Sequence, residues 1–538
     1  MYNIHTQELS NAYAFILLQG GLCLAALSSC VEDDIIPAIM PFITENISGP
    51  EWKRKDAALF AFGTLMASCQ PENLHSYVPT SIPIIIQGMQ DTHWRVRDTS
   101  TWAIGQILRE KFDLVPKDQL DTLISGLIHL MDDQSVPVSR KAVNSILQFA
   151  EAFEDEQDQP TNGLSKYAQS LVQKLLTTVN KTECEITMEA YEAASMVIDK
   201  CANDQIDLIG AVLKEAIIRL GNTFQDAVSS EDKAVQHTLI CGLINTCTRK
   251  LPGNLLVQSA DAVMQCLLQV LGLPNSGAQE ECFQTLGNIA DKIGDTFERY
   301  IEYAAPLILK GLQQVDERPV CMHAISSLAR IFASLKKKIL KYSDLFVQEL
   351  LNVLKSNTAD RSLKPLAIIT LGELAESIDS DFENYAQVVL DILKQAQSQN
   401  CGPDADQEIK DYIEELRESI LDAYTSITEG LKNGGKLQIM NQHVQPIFGF
   451  LADVLQMPDC PPLLLNKAIG FIGDMGTGFG KPLEPFITNP AILQGVQLGQ
   501  QRAQEMNQRD QGLGDSLLGT CQFTIKVIQG VQNLPLQK

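Results

Sequence analysis

Five carboxylates raise the first chemical question in this 538-residue chain: Asp411, Glu415, Glu418, Asp422 and Glu429. On a helix they fall within one stripe roughly 60° wide, while Leu416, Ile420, Ala423, Ile427 and Leu431 centre on nearly the opposite side. Like charges at i,i+4 spacing oppose each other, so a ladder this uniform calls for an external ligand or a cationic neighbour. Such a face suits multidentate binding of Lys and Arg side chains. A milder stripe, Glu185, Glu189 and Glu192, repeats the arrangement upstream. A third group combines acid and aromatic: Asp98, Trp102 and Gln106 share a helical face. A tryptophan beside a carboxylate can stack on a guanidinium while the acid pairs with it. Ordinary packing between repeats, or a solvated face, would give the same patterns.

The elements that position these residues repeat. WKRKDAALFAFGTL, from Trp52, returns 42 residues later in WRVRDTSTWAIGQILR, from Trp94, pairing Trp52 with Trp94, Lys55 with Arg97, Asp56 with Asp98, Ala61 with Ala103 and Gly63 with Gly105. TLGNIADKIGDTFERY, from Thr285, returns after 85 residues as TLGELAESIDSDFENY, about twice that period. A period of about 40–47 residues built from paired helices predicts an all-α HEAT-repeat solenoid, a right-handed superhelix of about eleven antiparallel pairs. Residues 1–20 form an atypical leader, 21–481 the array, and 482–538 a degenerate capping repeat. The candidate acidic faces lie on second helices, which line the concave side of such arrays. Trp52 and Trp94, at helix starts, are expected to act as packing wedges. Asp56 and Asp98, early in second helices, complement the helix dipole and can reach a neighbouring repeat.

Composition narrows the partners. Sixty-six acidic against 42 basic residues give a net charge of −24, which disfavours nucleic acid and favours a basic protein. Thirteen cysteines without CxxC pairs and seven isolated histidines offer no metal-ligand spacing and suit buried thiols in a reducing compartment. Ala12–Val31 carries no charge over twenty residues, but its Gln, Gly and Ser content and the absence of Lys or Arg before it predict a buried helix, neither a membrane span nor a signal peptide. Gly430–Lys436 matches GxxxxGK, yet Leu437 replaces the Ser/Thr and a helix precedes it where a phosphate loop needs a strand. GTGFGK, with Gly476, Gly478 and Gly480, reads as a flexible helix end. No nucleophile–base signature occurs, so no enzymatic activity and no cofactor are expected.

Longer segments carry a family resemblance. EDDIIPAIMPFI (Glu32–Ile43), RDTSTWAIGQI (Arg97–Ile107), RSLKPLAIITLGELAESI (Arg361–Ile378), DYIEELRESILDAYTSITEGLK (Asp411–Lys432) and GFIGDMGTGFGK (Gly470–Lys481) resemble the C-terminal part of the importin-β family of karyopherin nuclear import receptors. The resemblance implies a receptor working between cytoplasm and nucleus that wraps the basic N-terminal helix of importin-α, with phenylalanine-glycine nucleoporins as further partners. It places Trp102 on a ligand-stacking tryptophan, Glu192 and the Asp411–Lys432 helix at inner positions, and Asn144 where another tryptophan is expected. It does not extend to an acidic loop before Gly21 or to the N-terminal repeats that, in the family, carry the principal surface for the Ran GTPase. Either the chain is a shortened karyopherin or its start is incomplete. The alternative to a transport receptor is a general HEAT scaffold that binds a folded partner.

Overall fold

The computed structural model describes residues 2–154, 159–179, 184–224, 230–273, 276–402, 405–457, 459–509 and 512–534, with the side chains of 2–12, 14, 184, 185, 230 and 231 outside that description. Among the described residues there are α-helices and short 3-10 turns and no strand. The helices pair into antiparallel hairpins, giving the expected all-α HEAT solenoid, and they fall into two compact units, Met1–Leu251 and Pro252–Lys538.

In the first unit the second helices of successive hairpins are Trp52–Leu65, Trp94–Glu110, Val136–Glu151, Cys184–Lys200 and Ser230–Lys250. Each packs extensively on the next, whereas first helices such as Tyr77–Gly88, Lys117–Leu130 and Ser165–Thr178 touch one another sparsely. In the second unit the close-packed series is Gln279–Ile293, Arg318–Leu335, Leu363–Ile378, Gln407–Asn433, Pro462–Phe479 and Asp515–Asn533. A stack whose second helices are crowded and whose first helices splay is curved locally, with the second helices inside.

Local chemistry explains the repeat. Lys55 pairs with Asp91 at 2.8 Å, and one period later Arg97 grips Asp133 through two bonds of 2.7 and 2.8 Å. Each aspartate also accepts from a backbone N–H two residues on, His93 or Ser135, which fixes the corner before the second helix. Pro137, Pro319 and Pro462 stand in the first turns of second helices, where the missing N–H costs nothing. Asp406 caps Gln407–Asn433 by accepting from the Ile409 N–H at 2.9 Å. This helix also approaches its predecessor closely, because a Cβ at Gly372 would lie 2.9 Å from the Ala423 Cα, and one at Gly430 only 2.3 Å from the Ala375 carbonyl oxygen. A side chain at either glycine would not fit that seam.

Two expectations change here and a third holds. Tyr2–Val31 is one helix, but its described apolar side chains are largely exposed, with Phe15 at 65 %, Ile16 at 69 % and Leu22 at 57 %; the expected buried helix is overturned. One flank rests on Trp52–Leu65 through Tyr13, whose hydroxyl donates to Asp56 at 2.9 Å, and through Gly21 against Phe60, while Ser28 meets Ser68 in the turn just after that helix. Within this chain the helix meets a repeat on one side only, and that flank is the one that is covered. Trp52 is the expected wedge, stacked on His93 at 3.8 Å, but Trp94 remains 37 % exposed with the Arg95 guanidinium over its ring at 4.8 Å. The phosphate-loop lookalike is a helix end: Gly430 lies inside the helix, Gly434 is pressed on the Ser380 backbone, and Lys436 pairs with Glu383 at 2.7 Å.

Candidate acidic ligand-binding surfaces

Each unit carries one candidate surface. In the second unit the Gln407–Asn433 helix divides as its pattern requires. Leu416, Ile420, Ala423, Ile427 and Leu431 are all buried, Asp411, Glu415 and Glu429 are exposed, and Glu418 and Asp422 lie between. Packing of the apolar side against the preceding hairpin therefore aims the carboxylate ladder outward. The cationic neighbour is Lys467 of Pro462–Phe479, whose Nζ donates to Asp422 at 2.8 Å and to Glu418 at 3.4 Å. At the N-terminal end, Asp411 accepts from Gln407 at 2.7 Å, and Asp411 and Glu415 border an open cavity of about 830 Å³ shared with Arg318, Asp360 and Arg361.

Neighbouring second helices extend this surface with acids that reading one helix at a time does not find. Burial pushes the Glu373 carboxyl up from its ordinary pKa, and the charges of Glu376 and Asp422 push it further. Asp474 is raised by burial and then by Glu429, with Lys432 opposing. Glu414 is raised by burial, Glu418 and Asp411. Across the helix boundaries, then, Asp422 acts on Glu373 and Glu429 on Asp474, which disfavours the ionised forms of Glu373 and Asp474. The recoverable signal was the i,i+3 pair Glu373/Glu376 in GELAES, on a second helix next to the ladder.

In the first unit, Asp98, Asn144 and Glu189 come together from Trp94–Glu110, Val136–Glu151 and Cys184–Lys200. With Arg140, Lys141 and Ile186 they line a cavity of about 500 Å³. Asp98 Oδ1 and Glu189 Oε2 are buried there with no hydrogen-bond partner among the described residues, while Glu189 Oε1 accepts from Arg140 Nε at 2.6 Å. Burial raises the Asp98 pKa, against the opposing charge of Lys141. One repeat earlier, the matching Asp56 is wholly buried and satisfied by the Thr99 and Tyr13 hydroxyls. Lys141 stands one period after Thr99, so the same carboxylate position is closed in one repeat and open in the next.

Trp102 is half-buried, its ring stacked on Phe60 at 4.7 Å and 28° and seated over Gly63, where a Cβ would lie 2.5 Å from the indole Cζ3. Gln106 follows on the same helix but is only 8 % exposed, and its Oε1 accepts from Arg109 at 3.1 Å, so it is engaged within the chain. Glu192 is exposed. The Glu185 side chain lies outside the described residues.

Comparison with known proteins places this geometry. Residues 122–499 match the family model described as importin subunit beta-1-like, TPR repeats, and residues 52–107 match the HEAT-like repeat. Importin subunit beta-1 of Arabidopsis thaliana is 28 % identical over 494 residues, covering 88 % of this chain and 56 % of its own length. The chain spans about half the length of the curated relatives it matches. A crystal structure of importin beta superimposes with a TM-score of 0.85 at 26 % identity, covering 95 % of this chain and 59 % of that one. Yeast Kap95p shares the fold at 22 % identity, covering 96 % of this chain and 60 % of its own, with TM-scores of 0.76 in a structure where its binding induces the switch loops of RanGDP to adopt the GTP-bound conformation and 0.75 in its complex with Nup1.

Proposed function

The chain belongs to the importin beta-1-like family, and on that premise we propose that it is the part of a nuclear import receptor whose acidic second-helix faces grip the basic N-terminal helix of importin-α. The observation that carries this reading is the crowding of carboxylates on adjacent second helices: Glu373 and Glu376, the Asp411–Glu429 ladder, and Asp474. Crowded like charges oppose the folded state, and an Arg/Lys-rich helix laid along them would relieve the repulsion. Asp98, Glu189 and Glu192, with Trp102 as an aromatic platform and Asn144 beside them, form a second set of contacts suited to the same chemistry.

The transport cycle follows by family analogy. The receptor would move between cytoplasm and nucleus without enzymatic chemistry of its own, and Ran and phenylalanine-glycine nucleoporins would be partners of the whole receptor. The test is a quadruple variant, Asp411→Asn, Glu415→Gln, Glu418→Gln and Asp422→Asn, titrated with the importin-α basic helix as a peptide. Affinity should fall at least tenfold, about 1.4 kcal/mol, with helicity retained. Unchanged affinity in a folded variant would remove the ladder from the binding surface and favour a scaffold that uses other faces.

A further inference from the structure

The acidic ladder carries a cation of its own at its centre. Lys467 reaches back from the next second helix and places its ammonium 2.8 Å from Asp422 Oδ2 and 3.4 Å from Glu418 Oε2. The three side chains are 26 %, 39 % and 19 % exposed, so the cluster sits at the surface with access from solvent. An ion pair this open adds little to stability.

The two helices do not depend on Lys467 to stay together. Tyr424 and Phe471 stack across them with planes 7° apart, and Thr428 contacts Met475 in the core beneath. A fold-holding role therefore leaves the lysine unexplained.

We propose that Lys467 is an internal competitor for the basic ligand: it occupies Glu418 and Asp422 in the free chain and swings away when a ligand arginine takes its place. This rests on the ladder being the ligand surface. A four-carbon stem and a point-like ammonium let lysine leave at little steric cost. A guanidinium can bond a carboxylate through two parallel donors and an ammonium cannot, so arginine is the better displacing group. Displacing Lys467 costs any basic helix the same free energy, so it weakens them all, and arginine is the group best able to offset that cost.

The experiment compares wild type, Lys467→Met and Lys467→Gln against the importin-α basic helix peptide and against the same peptide with every arginine replaced by lysine. Removing an exposed pair should tighten arginine-peptide binding by about threefold to fivefold. Both peptides should gain by about the same factor, because freeing Glu418 and Asp422 costs the free chain the same whichever peptide follows. The thermal midpoint should be unchanged. Should the methionine variant melt early, the glutamine variant carries the same comparison. Equal or weaker binding by folded Lys467 variants, with wild type binding normally, overturns the competitor role and leaves the ladder reading standing. Binding by the variants and not by wild type supports it in its strongest form. Binding by none of them overturns both.

Discussion

Replacing Trp102 with alanine separates packing from recognition at the most informative single residue. The indole is half-buried, stacked on Phe60 at 4.7 Å and lodged over Gly63. Truncating a fully buried tryptophan costs about 3–5 kcal/mol, so a half-buried one should cost about 2 kcal/mol of stability. Loss of an interface anchor adds about 1–3 kcal/mol to binding, a fivefold to hundredfold weaker Kd. Phe60→Ala removes the stack while keeping the indole, so it should lower stability by about 1–2 kcal/mol and leave most of the peptide affinity. Gly63→Ala keeps both rings but drives a methyl against Cζ3, displacing the indole from its seat. It should impair folding and binding together. Urea unfolding followed by far-UV circular dichroism reads the first effect, and calorimetric titration at fixed salt reads the second. If Trp102→Ala unfolds early yet binds peptide as wild type does, Trp102 is an inter-repeat wedge alone and the stacking argument fails.

Three other outcomes are expected. Arg97→Ala should cost about 2–3 kcal/mol by stranding the nearly buried Asp133, against about 1 kcal/mol for Lys55→Ala at the matching but single-bonded position, measured by urea midpoints; equal costs would contradict the difference in geometry. Lys336 and Asp379 hold φ near +50°, where Gly294 and Gly480 serve other hairpins, so Lys336→Gly should stabilise by about 1 kcal/mol and Asp379→Gly by less, since it also loses the 3.5 Å contact to Lys337. Glu373 and Asp474 have raised folded-state pKa values; their contribution to stability is full below the unfolded pKa and lost as pH rises through the folded one. Glu373→Gln with Asp474→Asn should therefore raise the melting midpoint at neutral pH while weakening peptide binding, and should flatten the fall in affinity on acidification; a variant that binds as wild type does at every pH would exclude both acids from the surface.

What the sequence made legible was whatever lies within one helix or one period. The ladder and its apolar counter-face follow from helical angles alone, and the Lys55/Arg97 correspondence follows from the 42-residue period. Their partners Asp91 and Asp133 were not identified, although they obey the same period. Contacts between hairpins were out of reach because they depend on how neighbouring second helices register. Lys467 meets Asp422 across 45 residues, and Glu373 feels Asp422 across 49, with no local pattern to announce either. Helical facing put Gln106 beside Asp98 and Trp102, yet it is buried and held by Arg109 of its own helix. The first helix misled for the opposite reason: its composition suits a core, but within this chain only one flank meets a repeat.

The most direct test of the central claim is the affinity of the 538-residue chain for the importin-α basic helix as a function of salt. Binding held by the acidic faces should weaken steeply and log-linearly as salt rises, and the slope should become shallower in the quadruple ladder variant. Salt-insensitive binding, an unchanged slope in that variant, or no binding by the folded chain would contradict the account.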